Sequence, residues 1–86
     1  MLSVYILYSH LNKKFYVGQS GDHNVRLDQH NQGLVKSTKS GIPWIKIWIT
    51  DLGSRSEALR LEKKIKKRGI TRYLEDINFD WRSSIS

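Results

Sequence analysis

Two short runs of β-branched and aromatic residues near the start of the chain constrain the fold most. Val4–Ser9 reads VYILYS, residues 15–17 read FYV, and the mostly polar stretch HLNKK separates them. Such residues favour strands, and a connection of this length turns the chain straight back on itself. The sequence therefore predicts an antiparallel β-hairpin. A short turn would also direct the rings of Tyr5 and Tyr16 to the same face of the sheet.

The segment after the hairpin predicts a helix, a loop and a third strand. Asp22 is a plausible N-cap for a helix that runs to about Gln32 and stops at Gly33. Residues 34–42 (LVKSTKSGI) have no period and predict a mobile basic loop. Trp44–Thr50 (WIKIWIT) is apolar at nearly every position, which is typical of a strand covered on both faces. We expect this strand in the middle of the sheet.

The last third of the chain predicts two helices. Ser54 and Glu57 have capping-box spacing, and the helix that they begin should end at Gly69. Thr71 is expected to cap a short third helix in which Leu74, Ile77 and Trp81 share a face.

The elements combine into an α/β domain with a small three-stranded antiparallel sheet flanked by helices, in the order β-β-α-β-α-α. A chain of 86 residues is too short for two cores, so we expect a single domain over residues 1–86, with 82–86 as a frayed tail.

Composition excludes several classes of protein. With no Cys, the chain has no disulfide framework, thiolate zinc site or cysteine nucleophile. Its apolar runs of about five residues are far below the ~20 needed to cross a bilayer, which predicts a cytoplasmic protein with no membrane partner. Fifteen Lys and Arg against eight acids give a net charge of +7, which favours a polyanion such as nucleic acid as partner.

One acid falls on the apolar side of the second predicted helix. At about 100° per residue, Ala58, Leu61 and Ile65 define an apolar arc, and Glu62 lies inside it. A carboxylate that faces a core is costly unless it is paired, protonated or bound to a metal. Periodicity alone leaves two interpretations equally open, a functional carboxylate or an internal salt bridge, for instance to Arg26.

Two further residues are candidates for phosphate chemistry. Arg26 and His30 lie four positions apart on the first predicted helix, so they share a face. Arg offers a planar fork for phosphate, and His titrates near neutrality. They would be equally unremarkable as surface residues, and Tyr5 and Tyr16 as core aromatics.

Together these residues resemble the GIY-YIG nuclease domain over about residues 3–76. Ser3-Val4-Tyr5 stands where that family has its first tripeptide, and Tyr16-Val17-Gly18 stands where it has its second. Downstream, Arg26 and His30 fit the family's helix with its active-site Arg, and Glu62 fits its metal-binding Glu. As a small single domain, the chain most resembles stand-alone members of the family, which are related to the nuclease portion of the DNA-repair protein UvrC and to small structure-specific nucleases.

The resemblance implies an endonuclease that hydrolyses DNA with one divalent ion, Mg²⁺ or Mn²⁺, in DNA repair, recombination or processing. Glu62 would be the metal's only protein side-chain ligand, and Tyr5 or Tyr16 would take or relay the proton of the attacking water. Arg26 would stabilise charge on the phosphate, and His30 would assist by hydrogen bond or proton transfer.

The candidate DNA contacts are lysines in two segments of the chain. They are Lys36 and Lys39 in the loop, and Lys63, Lys64 and Lys67 on the second helix. Two alternatives stay open. Gln19 and Leu74 stand where some family members have Lys and Asn, which favours a weak or inactive nucleic-acid-binding module on the same scaffold. The positive charge alone also fits a domain that binds an acidic protein.

Overall fold

The computed structural model describes residues 2–86 and has one antiparallel three-stranded sheet with helices on both faces. In chain order the elements are β1 (Leu2–Ser9), β2 (Lys14–Ser20), α1 (His23–Asn31), a 3-10 helix (Lys36–Gly41), β3 (Trp44–Leu52), α2 (Arg55–Arg68), α3 (Ile70–Asp76) and α4 (Trp81–Ile85). The predicted α/β class and the order β-β-α-β-α-α are confirmed, and a short α4 follows them.

The hairpin has the predicted geometry, but the strand order does not. Leu7 pairs with Tyr16 and Tyr5 pairs with Gly18, so both tyrosines lie on one face of the sheet. The strand order is β2-β1-β3. The prediction that the third strand lies in the middle is therefore wrong. An apolar run shows that both faces are covered, but it does not show which strand has neighbours on both sides.

Local capping sets the ends of the two longer helices as predicted. The Asp22 side chain accepts a hydrogen bond from Val25 N, and Gly33 follows the end of α1 with φ 77°. Ser54 caps α2 through Glu57 N, and Gly69 ends it with φ 98°.

The C-terminal helices differ from the prediction. The third helix begins at Ile70, directly after Gly69, and Thr71 has no capping role. It ends at Asp76, so Trp81 belongs to the next helix and reaches the core from there. Residues 82–86, expected to be a frayed tail, lie in and just after α4, which Asp80 caps through Ser83 N.

The sheet separates two cores of different chemistry, here named the aliphatic face and the aromatic face. Helices α2 and α3 cover the aliphatic face, whose buried residues are Val4, Ile6, Val17, Ala58, Ile65, Tyr73 and Leu74. Helix α1 and the 3-10 helix cover the aromatic face, where Tyr5, Leu7 and Trp44 are buried and Tyr16, Leu27, Ile42 and Ile49 pack against them. Side chains alternate between the faces along β1, so one strand supplies both cores.

The predicted mobile loop is in fact a packed segment. Residues 36–41 form the 3-10 helix, and Thr38 and Gly41 within it are buried. A Cβ on Gly41 would come 2.5 Å from the Trp44 ring, so this glycine allows the backbone to lie directly on the indole. The absence of a sequence period therefore did not indicate an absence of packing. Within residues 2–86, none of the helices has the length and apolar content to cross a membrane.

Candidate active site

The two tyrosines of the hairpin lie side by side on the aromatic face. Tyr5 is 2% exposed, and its ring lies over Gly18, the residue opposite it on β2. A Cβ at Gly18 would come 2.6 Å from Tyr5 Oη. The second tripeptide therefore needs its glycine for a physical reason, because any side chain there would displace the phenol.

His30 connects this face to α1 and is fully buried. Its Nε2 lies 3.0 Å from Tyr5 Oη, and its Nδ1 lies 2.7 Å from Thr38 Oγ1. The edge of its ring also faces Tyr16, with the ring centroids 5.1 Å apart. Both imidazole nitrogens are thus engaged, and His30, for which the sequence left a surface position open, is the centre of a buried hydrogen-bonded group.

Arg26 lies one turn before His30 on the same face of α1. Its Nη1 donates to Gln29 Oε1 at 3.0 Å, and its guanidinium lies close enough to Tyr5 to affect the pKa of the phenol. Burial raises the pKa of Tyr5, and the hydrogen bond and charge of Arg26 oppose that rise. Burial, followed by the charge of Arg26, lowers the pKa of His30. Near pH 7 the phenol is therefore protonated and the imidazole is neutral.

Glu62 contacts β2 from the aliphatic face, the side of the sheet opposite to Tyr5 and His30. Its side chain is 16% exposed, Oε1 accepts from Gln19 Nε2 at 3.1 Å, and Oε2 pairs with Lys66 Nζ at 2.7 Å. The salt bridge of Glu62 is made with Lys66 and not with Arg26, and it reaches the surface, because the Lys66 side chain is 58% exposed. The carboxylate raises the pKa of Lys66, chiefly by this hydrogen bond.

Adjacent residues of β2 bring the two groups together. The ring of Tyr5 lies over Gly18 on the aromatic face. Gln19, the next residue of β2, donates a hydrogen bond to Glu62 on the aliphatic face. Glu62 is close enough for its charge to contribute to the raised pKa of Tyr5. Tyr5, Tyr16, Arg26 and His30 therefore form one cluster, and Glu62 lies around the edge of β2 from it.

A divalent ion fits the oxygen atoms at this edge. Within residues 2–86, no group of three or more His, Cys, Asp or Glu side chains is arranged to hold a metal. However, Gln19 Oε1 is buried beside the Glu62 carboxylate and has no hydrogen-bond donor. One carboxylate and one amide oxygen suit Mg²⁺, which prefers oxygen ligands and keeps several waters.

The candidate DNA-binding lysines do not form one surface. Lys63, Lys64 and Lys67 are exposed on α2, which packs on the aliphatic face. Lys36 and Lys39 are exposed on the 3-10 helix, on the aromatic side. The sheet lies between the two sets, so they would meet a DNA duplex from different directions.

Sequence reasoning missed the roles of Gln19 and Thr38. Gln19 was a departure from a family pattern, and it holds the carboxylate of Glu62. Thr38 lay in a segment with no periodicity, and it is 1% exposed against His30. A small hydroxyl residue in a basic loop carries no signal of burial, because the contact that buries it comes from another element.

The site thus has a paired phenol and imidazole near a guanidinium on one face of the sheet, with a carboxylate at the same strand on the other face. The family model of the GIY-YIG catalytic domain matches residues 1–74, and the chain therefore belongs to the GIY-YIG family. This confirms the resemblance seen in the tripeptides and implies nuclease activity on nucleic acid. The searches of curated proteins and of solved structures each found no significant match.

Proposed function

We propose that the protein is a divalent-metal-dependent endonuclease that hydrolyses phosphodiester bonds in DNA, in repair, recombination or processing. The observation that carries the proposal is the 3.0 Å contact of Tyr5 Oη with His30 Nε2, made beside the Arg26 guanidinium. This contact supports a role for Tyr5 and His30 as proton acceptors, next to Arg26 as an anion-binding group. In-line attack of water on a phosphodiester needs both.

Tyr5 and His30 would handle the proton of the attacking water. The neutral phenol donates to Nε2 of the neutral imidazole. As the water oxygen bonds to phosphorus and the bond from phosphorus to the leaving oxygen breaks, the water proton passes to Tyr5 Oη. The phenol proton passes at the same time to His30 Nε2. Solvent protonates the leaving oxygen. Before the next turnover Tyr5 Oη releases a proton to solvent and takes one back from His30 Nε2, which restores the neutral phenol and imidazole.

Arg26 and Tyr16 would bind and orient the phosphate. The guanidinium lies close enough to Tyr5 to affect the pKa of its phenol, so a phosphate near Tyr5 Oη would be within reach of its fork of donors. Charge that develops on the phosphate oxygens would be stabilised there. Tyr16 is half-buried and flanks His30, so it forms one wall of the cluster or relays the proton.

Glu62 and Gln19 would hold the ion, Mg²⁺ or Mn²⁺, through their oxygen atoms. When bound, the ion supplies Lewis-acid stabilisation of charge on the phosphate. Lys66 would have to leave Oε2, and its side chain is 58% exposed and free to turn into solvent. A solvent-exposed ion pair of this kind contributes only ~0–1 kcal/mol, so its loss is a small cost.

One observation favours the alternative of a DNA-binding module without turnover. Both carboxylate oxygens of Glu62 are already occupied, one by the Gln19 amide and the other by the Lys66 ammonium. A stable Glu62–Lys66 pair would leave no anionic ligand for a metal. The two candidate functions thus differ in whether the ion displaces Lys66.

Cleavage assays separate the two functions. Purified protein is incubated with plasmid, branched and single-stranded DNA, with Mg²⁺ or Mn²⁺ and then with EDTA. We expect cleavage that EDTA abolishes, and binding that survives it. Binding without cleavage of any of these DNAs would establish the binding module.

Glu62→Gln tests the metal ligand. We expect it to keep the fold and DNA affinity and to lose cleavage, because the change removes the negative charge that binds the ion and preserves shape. Glu57→Gln is the matched control, since Glu57 is exposed on the same helix. Wild-type turnover in Glu62→Gln would refute the assignment. A large fall in melting temperature would instead make Glu62 a structural member of its ion pair.

A further inference from the structure

Thr38 is the least expected member of the buried hydrogen-bonded group. Its hydroxyl lies 2.7 Å from His30 Nδ1 and 3.3 Å from the backbone carbonyl of Val35. The residue is held in place from two sides, because Trp44 Nε1 donates to its carbonyl and its own N–H donates to Val35 O. The hydroxyl therefore stands in a rigid position behind the imidazole.

The position of the hydrogen atoms follows from what each group can do. The Thr38 hydroxyl donates to the carbonyl of Val35 at 3.3 Å, an arrangement that leaves the lone pairs of its oxygen free to accept. The same hydroxyl oxygen then accepts from Nδ1–H of His30. With its proton on Nδ1, the neutral imidazole has a bare Nε2, and that nitrogen accepts from the Tyr5 hydroxyl.

The other tautomer satisfies fewer groups. A proton on Nε2 would point at Tyr5 Oη, whose own proton would have to turn away from His30. Tyr5 is 2% exposed, His30 is the hydrogen-bond partner of its hydroxyl, and Arg26, whose charge influences its pKa, is only a donor. A buried hydroxyl proton without an acceptor costs roughly 1–3 kcal/mol, so the contacts favour Nδ1–H.

We propose that Thr38 is a positioning residue that holds His30 in its Nδ1–H tautomer and so makes Nε2 the acceptor of the Tyr5 proton. In the transfer the O–H bond of Tyr5 breaks and an N–H bond forms at Nε2, while Nδ1–H stays on Thr38 Oγ1. The logic is that of a catalytic triad, with a neutral hydroxyl and a peptide carbonyl where serine proteases use a carboxylate. Its consequence for cleavage rests on the function proposed above.

The simpler alternative is that Thr38 only fills space and satisfies a buried histidine. Two substitutions distinguish these roles. Thr38→Val keeps the shape and removes the hydroxyl, whereas Thr38→Ser keeps the hydroxyl and removes a methyl group. A packing role predicts that Val is tolerated and Ser is harmful, whereas a positioning role predicts that Val is harmful and Ser is tolerated.

The primary measurement is the tautomer of His30, read from the ¹⁵N chemical shifts of its ring nitrogens in histidine-labelled protein near pH 7.5. A His30→Asn variant assigns the signals. We expect Nδ1–H in the wild type and in Thr38→Ser, and a shift toward Nε2–H in Thr38→Val. A wild type with Nε2–H overturns the proposal whether or not any variant folds, and so does a Thr38→Val variant with unchanged ring shifts.

Single-turnover DNA cleavage is the second measurement. We expect Thr38→Val to lower kcat by about 10-fold, the lower end of what outer partners of histidine contribute at metal sites, with KM little changed and Ser restoring the rate. If no DNA is cut but the tautomers behave as stated, the endonuclease function fails and the positioning of His30 stands. If DNA is cut and Thr38→Val keeps both its rate and its ring shifts, the positioning role alone fails.

Discussion

The two faces of the sheet use the same strands for opposite purposes. On the aliphatic face, Val4 and Ile6 of β1 belong to a cluster with Ile65 and Leu74, and the buried side chains of that cluster are apolar apart from the hydroxyl of Tyr73. On the aromatic face, Tyr5 of the same strand brings a hydroxyl into a buried space and needs His30 to satisfy it. The comparison shows how a small domain can hold a reactive group, since one face supplies stability while the other holds paired polar groups.

Removing the Tyr5 hydroxyl should separate activity from stability most sharply. We expect Tyr5→Phe to lower the cleavage rate by about 10²–10⁴-fold, because the water proton then has no acceptor bonded to His30. The change leaves the buried Nε2 of His30 without a hydrogen-bond partner, which should cost roughly 1–3 kcal/mol of unfolding free energy. Single-turnover cleavage and thermal melting measure the two effects. Tyr16→Phe is the comparison, and full activity in both variants would make the rings plain core residues.

The opposite result should come from the aliphatic face. Ile65 is fully buried on α2, and Ile65→Ala should lower the unfolding free energy by ~2–5 kcal/mol while the folded fraction keeps its cleavage rate. Leu59→Ala, on the same helix, is the control, because Leu59 is 43% exposed and should cost far less. Urea unfolding gives both values. Equal losses at the two positions would contradict the described packing of α2.

The lysines test which face meets DNA. If DNA crosses α2, a triple Lys→Gln variant at Lys63, Lys64 and Lys67 should bind DNA more weakly than the wild type. Each phosphate that the protein no longer neutralises should reduce the slope of log affinity against log salt by ~0.9. A double Lys→Gln variant at Lys36 and Lys39 is the counterpart on the aromatic side. Binding titrations over a range of salt decide between them, and a slope that changes only in the double variant would place DNA beside the aromatic face.

The smallest expected effect is a pH dependence of stability. Burial lowers the pKa of His30, so the unfolded chain binds a proton that the folded chain resists. This contribution is fully present above about pH 6.5, the ordinary value for histidine, and is lost as the pH falls from there toward the lowered pKa of the folded state. Urea unfolding between pH 5 and 8 should show it.

The variant His30→Asn should flatten this part of the profile, while His10→Asn should keep the wild-type slope because His10 is exposed. A wild-type stability that does not fall between pH 7 and 5 would contradict the described burial of His30.

Part of the site was visible in the sequence because it depends on local spacing. Arg26 and His30 share a helix face because they are four residues apart. Glu62 stood out because helical periodicity places this acid among the apolar residues of its helix. The same spacing allows Glu62 to pair with Lys66, four residues further on, but it could not exclude Arg26, because that depends on which side of the sheet each helix packs. The partner of His30 on the 3-10 helix was hidden for the same reason.

The amino-acid sequence alone determined the hairpin, the ends of α1 and α2, the family and the residues most suited to phosphate chemistry. These follow from interactions within a few positions of the chain, such as Ser54 with Glu57 N or Leu7 with Tyr16 across a short turn. Tertiary structure alone decided that β1 is the central strand, that Thr38 is buried and that Gln19 holds Glu62 from 43 positions away. Those contacts join residues far apart in the chain, and their free energy comes from packing that no local pattern encodes.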